Sequence, residues 1–177
     1  MEARQQSWPR TWLMTDERMG DRLWNAIARL PPGAGVVFRH YSLAPAQRAQ
    51  LAREIAQTAR QRRIILAIAA DVELAKAVGS ELVHNPSSAT DLPFSRSVHN
   101  IEEAAAARAA GAALVFVSPV YATRSHRGRE PLGPERAAKI ARAAGVPAIA
   151  LGGVDAGNFP SLEQDGFYGW AGIDAWM

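Results

Sequence analysis

The 177-residue sequence carries 20 basic and 17 acidic side chains, a formal charge of +3, 48% hydrophobic residues and no cysteine. That length and apolar content fit one domain with an ample core, and exclude wholesale disorder, a disulfide scaffold, thiolate metal sites and a cysteine nucleophile. No apolar run approaches the roughly 18–20 residues of a membrane span and the N-terminus lacks a secretory apolar region, so a cytoplasmic protein with no membrane partner is expected. A margin of three charges, with arginines dispersed singly along the chain, argues against a nucleic-acid surface.

Short apolar runs alternate with Ala/Arg/Glu-rich amphipathic stretches. Residues 12–16 form a short run ending in an acid. Residues 20–30 read as a helix, with Leu23, Trp24, Ile27 and Leu30 on its face. The β-branched and aromatic run 35–41 is a strand, and 45–62 a long helix with Pro45 in its first turn. Residues 64–69 form a buried strand. A short helix over 71–78 follows, capped by Asp71 and ended by Gly79. A fourth strand, 81–85, leads into a loop with little helix in it. A fifth, 94–99, precedes a helix over 101–110, with Asn100 as its cap and Glu102 and Glu103 in its first turn.

Residues 113–120 form the sixth strand, followed by a polar, basic loop over 121–132. A helix over 134–144 stops at Gly145, and 147–151 is a seventh strand running into Gly152 and Gly153. A weak helix over 156–164, interrupted by Pro160, leads to an eighth strand, 167–173. The strands are mostly continuous apolar runs, as in parallel strands covered on both faces. Eight of them with helical crossovers predict an α/β fold, a compact (β/α)8 TIM barrel over 12–177 preceded by an extension over 1–11. It has a minimal fourth crossover and no helix after the last strand. The alternative is an open doubly wound sheet, against which the missing G-x-G-x-x-G weighs.

Barrel chemistry sits at the C-terminal ends of the strands. Gly152 and Gly153 there admit a close anion, or else make a tight turn; Gly172 stands where the other half of a phosphate cup would be. Ser97 and His99, two apart, are expected on one face, with His99 either a proton-transfer group or a structural histidine. The loop with Thr123, Ser125 and His126 is an anion clamp or a solvated surface. Arg39 interrupts an apolar strand and needs an acid or a ligand anion, Asp16 being the nearest protein candidate. His40 is expected to face the helical layer and His84 to be packed. The four histidines have no metal spacing.

These residues, in this order, resemble the thiamine-phosphate synthase superfamily, which includes the TenI-like thiazole tautomerases. The resemblance is carried by residues 13–16, 97–100 with Glu102 and Glu103, 117–123 and 149–154. It implies a (β/α)8 barrel. For a synthase it implies joining a pyrimidine diphosphate to a thiazole phosphate with Mg²⁺. Arg39 and Ser97 would then meet diphosphate, Thr123 and Ser125 the thiazole phosphate, and Gly152 and Gly153 would form the backbone cup. This sequence departs from the synthase pattern. Val37 and Tyr41 replace a Gln and a Lys. Ala69 and Ala70 replace an Asn-Asp pair, and residues 85–88 replace a region holding a metal ligand. His126 replaces a Lys, and Asp174 a phosphate-binding Ser. The resemblance therefore favours the tautomerase branch. There His99 would move a proton, Arg39 would face a carboxylate, and the ligand would be a phosphorylated thiazole-type small molecule. No cofactor is expected, with Mg²⁺ entering only if synthase activity is retained. A catalytically inactive barrel that binds a phosphorylated metabolite or a partner protein is a further alternative, and a homo-oligomer is left open.

Overall fold

The computed structural model describes residues 7–123 and 130–177. Eight strands close into one barrel in chain order: β1 (Thr11–Met14), β2 (Gly35–Phe38), β3 (Ile65–Ala69), β4 (Leu82–His84), β5 (Phe94–Val98), β6 (Leu114–Val117), β7 (Ala148–Leu151) and β8 (Gly169–Gly172). Every pairing is parallel, from Trp12 against Gly35 between β1 and β2 to Thr11 against Trp170 between β1 and β8. β2, β6 and β7 are buried at every position, which explains their uninterrupted apolar sequences.

Rings from non-adjacent strands meet inside the barrel. Trp12 and His84 both set edges against Phe116, with centroids 5.6 and 5.1 Å apart. Gly35 is required beside them: a Cβ there would lie 2.1 Å from the Trp12 ring.

The helices are α1 (Arg22–Arg29), α2 (Pro45–Arg62), α3 (Val72–Val78), α4 (Ile101–Ala109), α5 (Pro134–Ala144) and α6 (Phe159–Gln164). Local chemistry sets their ends. Asp71 accepts from the Leu74 N–H and Gly79 closes α3 at φ 68°. Pro45 and Pro134 occupy the first turns of α2 and α5. Pro160 does not interrupt a longer helix: α6 begins at Phe159, so the proline sits in the first turn, where its missing N–H costs nothing. No helix links β4 to β5. After β8 there is a 3-10 turn, Asp174–Trp176. Its Trp176 stacks on Trp170 at 5.3 Å and donates its indole N–H to the Trp12 carbonyl.

Two expectations shift. The strands end one to three residues before Asp16, Tyr41, His99 and Val120, because the chain leaves the ladder there to build the loops of the C-terminal face. At the other end, the described part of the expected extension, 7–11, belongs to the barrel. β1 starts at Thr11, Trp8 packs on the core, and the Trp170 N–H donates to the Arg10 carbonyl.

Candidate functional site

A cavity of about 310 Å³ opens at the C-terminal ends of β6, β7 and β8 and reaches across to β2. Ser118, Thr123, Gly152, Gly153, Asp155, Gly172, Asp174 and Arg39 are among its walls. Its floor is built by glycine. Gly152 and Gly153 have φ of 96° and 64°, in the region that side chains disfavour. A Cβ on Gly152 would lie 2.8 Å from the Pro119 Cα, and one on Gly153 2.7 Å from the Ala122 carbonyl oxygen. The loop after β6 is locked onto this bend: Val120 and Tyr121 donate to the carbonyls of Leu151 and Gly152, each at 2.9 Å. The N–H groups of Gly153 and Val154 donate to no group among the described residues. The sequence thus brings Arg39, Thr123, Gly152, Gly153 and Gly172 into one cavity, while Ser125 and His126 lie outside the described residues.

Arg39 follows β2 directly. Its backbone N–H donates to Thr15 Oγ1 at 3.0 Å, and its Nε–H to the Thr15 carbonyl at 2.9 Å. Asp16, the partner expected from sequence, is 3.6 Å from the guanidinium. Asp16 is engaged more closely by Arg18, whose Nε–H donates at 2.8 Å and NH2 at 3.1 Å. Burial lowers the Arg39 pKa below the usual guanidinium value, with the charges of Tyr41 and Asp16 opposing it. A largely desolvated cation with one distant carboxylate suits an anionic ligand.

Arg39 also borders a second cavity, with Thr15, Asp16, Glu17 and His40. His40 was expected to face the helices. It stacks on Phe38, at 5.1 Å, the residue two before it and so on the same side, and the Arg48 guanidinium of α2 lies over the Phe38 ring; His40 Nδ1 is 3.1 Å from Thr15 Oγ1.

Ser97 and His99 take different partners. Ser97 lies within β5; its Oγ is 3.2 Å from His84 Nε2, and its N–H donates to Asn85 Oδ1 at 2.8 Å. His84 completes the group with Nδ1 2.9 Å from Ser95 Oγ. Burial, aided by the charges of Arg39 and Arg96, pushes the His84 pKa down to about 3 and keeps the ring neutral. His99 stands beyond the end of β5, and both its N–H and its Nδ1 address Glu103 Oε2, at 2.8 and 2.9 Å. Ser97 and His99 thus engage different partners, and neither residue is among the described walls of the cavity.

Sequence reading missed two further features of this end of the barrel. Arg48 of α2 is buried and donates to the carbonyls of His40 and Ala69, at 3.0 and 2.8 Å, tying α2 to the ends of β2 and β3. Ala70 and Asn85 adopt φ of 66° and 47° at the ends of β3 and β4. An isolated arginine in an amphipathic helix, and an alanine after a strand, give no sequence signal for either role.

The Mg²⁺ implied for a synthase would need oxygen ligands at the ends of β3 and β4. Alanines stand at positions 69 and 70, and the Asn85 carboxamide is spent on Ser97 and His84. Among the described residues no three His, Cys, Asp or Glu side chains are grouped to hold a metal. The residues present do not fit that ion.

A closed parallel barrel opening at its C-terminal end onto a glycine-floored cavity defines a (β/α)8-barrel protein. A family model described as thiamine monophosphate synthase, TMP-TENI, matches residues 13–176, and the chain belongs to that family. It is 30% identical over 159 residues to a thiamine-phosphate synthase of Haloarcula marismortui, covering 80% of this chain and 74% of that one. It is 33% identical over 147 residues to one from Geobacillus kaustophilus, covering 76% of this chain and 66% of the relative. The fold also matches the thiamine phosphate pyrophosphorylase of Pyrococcus furiosus. There the TM-score is 0.80 at 21% identity, over 94% of this chain and 86% of that one.

Proposed function

We propose that this protein acts in thiamine metabolism on a phosphorylated thiazole, through a proton-transfer (tautomerase-like) reaction. The observation that carries the reading is the cavity in which Gly152, Gly153, the Thr123 hydroxyl and Arg39 converge. Backbone N–H groups past the end of β7 and a hydroxyl suit a phosphate, and Arg39 suits a second anionic group such as a carboxylate. Proton transfer within a thiazole needs an anion cradle and a proton carrier, so it does not depend on the carboxylates lost from the synthase pattern. The resemblance gives the carrier's role to His99. Held by Glu103, that ring would have to turn towards the ligand to fill it.

The test is direct. The purified protein should accelerate aromatisation of the carboxythiazole phosphate tautomer, and should bind the aromatic thiazole phosphate in calorimetry. Absence of both effects overturns the reading. Full activity in a His99→Ala variant would remove His99 and leave the cup. Chelator-sensitive release of diphosphate from the pyrimidine substrate would replace the reading with synthase chemistry.

A further inference from the structure

Ser118 carries a buried hydroxyl that the protein itself leaves unused. The residue is 6% exposed and lines the cavity. Among the described residues its Oγ meets no hydrogen-bond partner, and the one fully enclosed side-chain polar atom without a partner is Arg62 Nε. The Ser118 Oγ therefore keeps some open surface, and the opening that Ser118 borders is the cavity. Register sets its depth. Val117 pairs with Ala150, and the Ser118 N–H donates to the Val98 carbonyl at 3.2 Å, so the ladder with β5 runs on through Ser118. Alternation then puts Ser118 on the side of Phe116, which packs inside the barrel with Ile149 and Leu151. Val115, Val117 and Ala150 pack on the other side, with alanines of α4 and α5. Ser118 is thus level with Leu151, one and two residues short of Gly152 and Gly153. At about 3.3 Å per residue, it lies roughly 3–7 Å deeper than the glycine bend. A hydroxyl held there without a partner is costly, where an apolar side chain would pack freely.

Resting on the proposed reading of the cup, we infer that Ser118 orients the ligand's ring by donating its O–H to the ring nitrogen. With the phosphate at the rim, on Gly152 and Gly153, the short alkyl chain of thiazole phosphate carries the ring inward to the level of Ser118 and Leu151. A thiazole nitrogen has an in-plane lone pair and no hydrogen, so it accepts; the serine hydroxyl donates. Leu151 and Ile173, both buried walls of the same cavity, give the rest of the ring an apolar surface. A ring turned over would set its sulfur, a weak acceptor, against the hydroxyl. A ring with C–H in place of the nitrogen would leave the hydroxyl unpaired. Ser118 therefore distinguishes an azole from its carbon analogue, by the cost of a buried donor left without an acceptor.

The experiment is calorimetric titration of the wild type, Ser118→Ala and Ser118→Cys with two ligands. One is thiazole phosphate without its carboxylate, so that Arg39 does not enter the comparison. The other is the thiophene phosphate in which C–H replaces the ring nitrogen and nothing else changes. The wild type should bind the thiazole at least about tenfold more tightly than the thiophene, as expected for one buried hydrogen bond made or left unmade. Ser118→Ala should abolish that preference and bind the thiophene at least as tightly, because the nitrogen is then buried without a donor. Ser118→Cys keeps the side chain's shape with a weaker donor, and should lower the preference too. A general loss of packing would weaken both ligands alike and leave their ratio untouched, so the ratio reports the hydroxyl. A wild type that binds the two ligands equally, or a preference that survives undiminished in either variant, would overturn the inference while the cup stands. Equal losses for both ligands in Ser118→Ala would overturn it as well, and assign the hydroxyl to the phosphate. Failure of the wild type to bind either ligand would overturn the cup itself.

Discussion

His99 Nδ1 lies 2.9 Å from Glu103 Oε2, and the His99 backbone N–H donates to the same oxygen at 2.8 Å. Asn100 reciprocates: its Oδ1 accepts the Glu103 N–H at 2.7 Å, and its Nδ2 donates to Glu103 Oε1 at 3.0 Å. This is a reciprocal N-terminal cap on α4, and the imidazole is drawn into it. The family's Ser-Val-His motif therefore does two separable things in this chain. Its serine joins a buried network with His84 and Asn85, and its histidine anchors a helix.

Asn100→Ala should remove the cap without touching the cup. The expected loss is about 1 kcal/mol of stability. Urea denaturation checks this, and thiazole phosphate affinity measured alongside should stay within about twofold, well under the 1.4 kcal/mol of a tenfold change.

Gly153→Ala should damage both stability and binding. The added Cβ meets the Ala122 carbonyl at 2.7 Å, and a φ of 64° is disfavoured for alanine. The left-handed conformation alone costs about 1–2 kcal/mol. Gly111→Ala is the matched control: its φ is 80°, yet nothing lies within 4 Å of the new Cβ. Thermal melts should show both variants destabilised, with calorimetry showing binding lost only in Gly153→Ala.

Arg39→Met should weaken binding of an anionic ligand by roughly ten- to a hundredfold, the effect of losing charge-assisted hydrogen bonds worth about 1.5–3 kcal/mol. Much of the Arg39 side chain is already out of water, and its nearest carboxylate is 3.6 Å away. Stability should fall little. Calorimetry and denaturation on the same sample separate the two effects.

His84 predicts a pH dependence of stability. Its folded pKa, about 3, lies below its ordinary value of 6.5 because the ring is buried. Between those values the unfolded chain binds a proton that the folded chain refuses, so stability falls as pH drops below 6.5. The contribution of His84 alone should reach about 2 kcal/mol at pH 5, at 1.36 kcal/mol per unit below the unfolded pKa. Denaturant midpoints of the wild type and His84→Gln, compared between about pH 7 and about pH 5, check this. A slope that persists unchanged in the variant would assign it elsewhere.

Much of the architecture was legible in local chemistry. The helix over Pro45–Arg62 and the helix over Pro134–Ala144 have the bounds their prolines, periodicity and glycine stop predict. Asp71, Gly79 and Asn100 cap as their types require, because a cap satisfies backbone groups only two or three residues away. The glycine pair was legible for a similar reason: positive φ at the end of a strand is a local demand.

The amino-acid order by itself thus determined the strands, the helices with their caps and the glycine bend after β7, all set by interactions a few residues long. Where the other polar groups point was decided by tertiary structure. Side-chain alternation carries past the end of β2 at Phe38, where His40 keeps the side of Phe38, but it names no partner, and β5 stops at Val98, just short of His99. Past those points each side chain goes to whichever partner the closed barrel brings near: Thr15 from β1's end for Arg39 and His40, Glu103 from α4 for His99. Those partners lie on neighbouring elements, so only closure of the sheet sets which groups share the cavity.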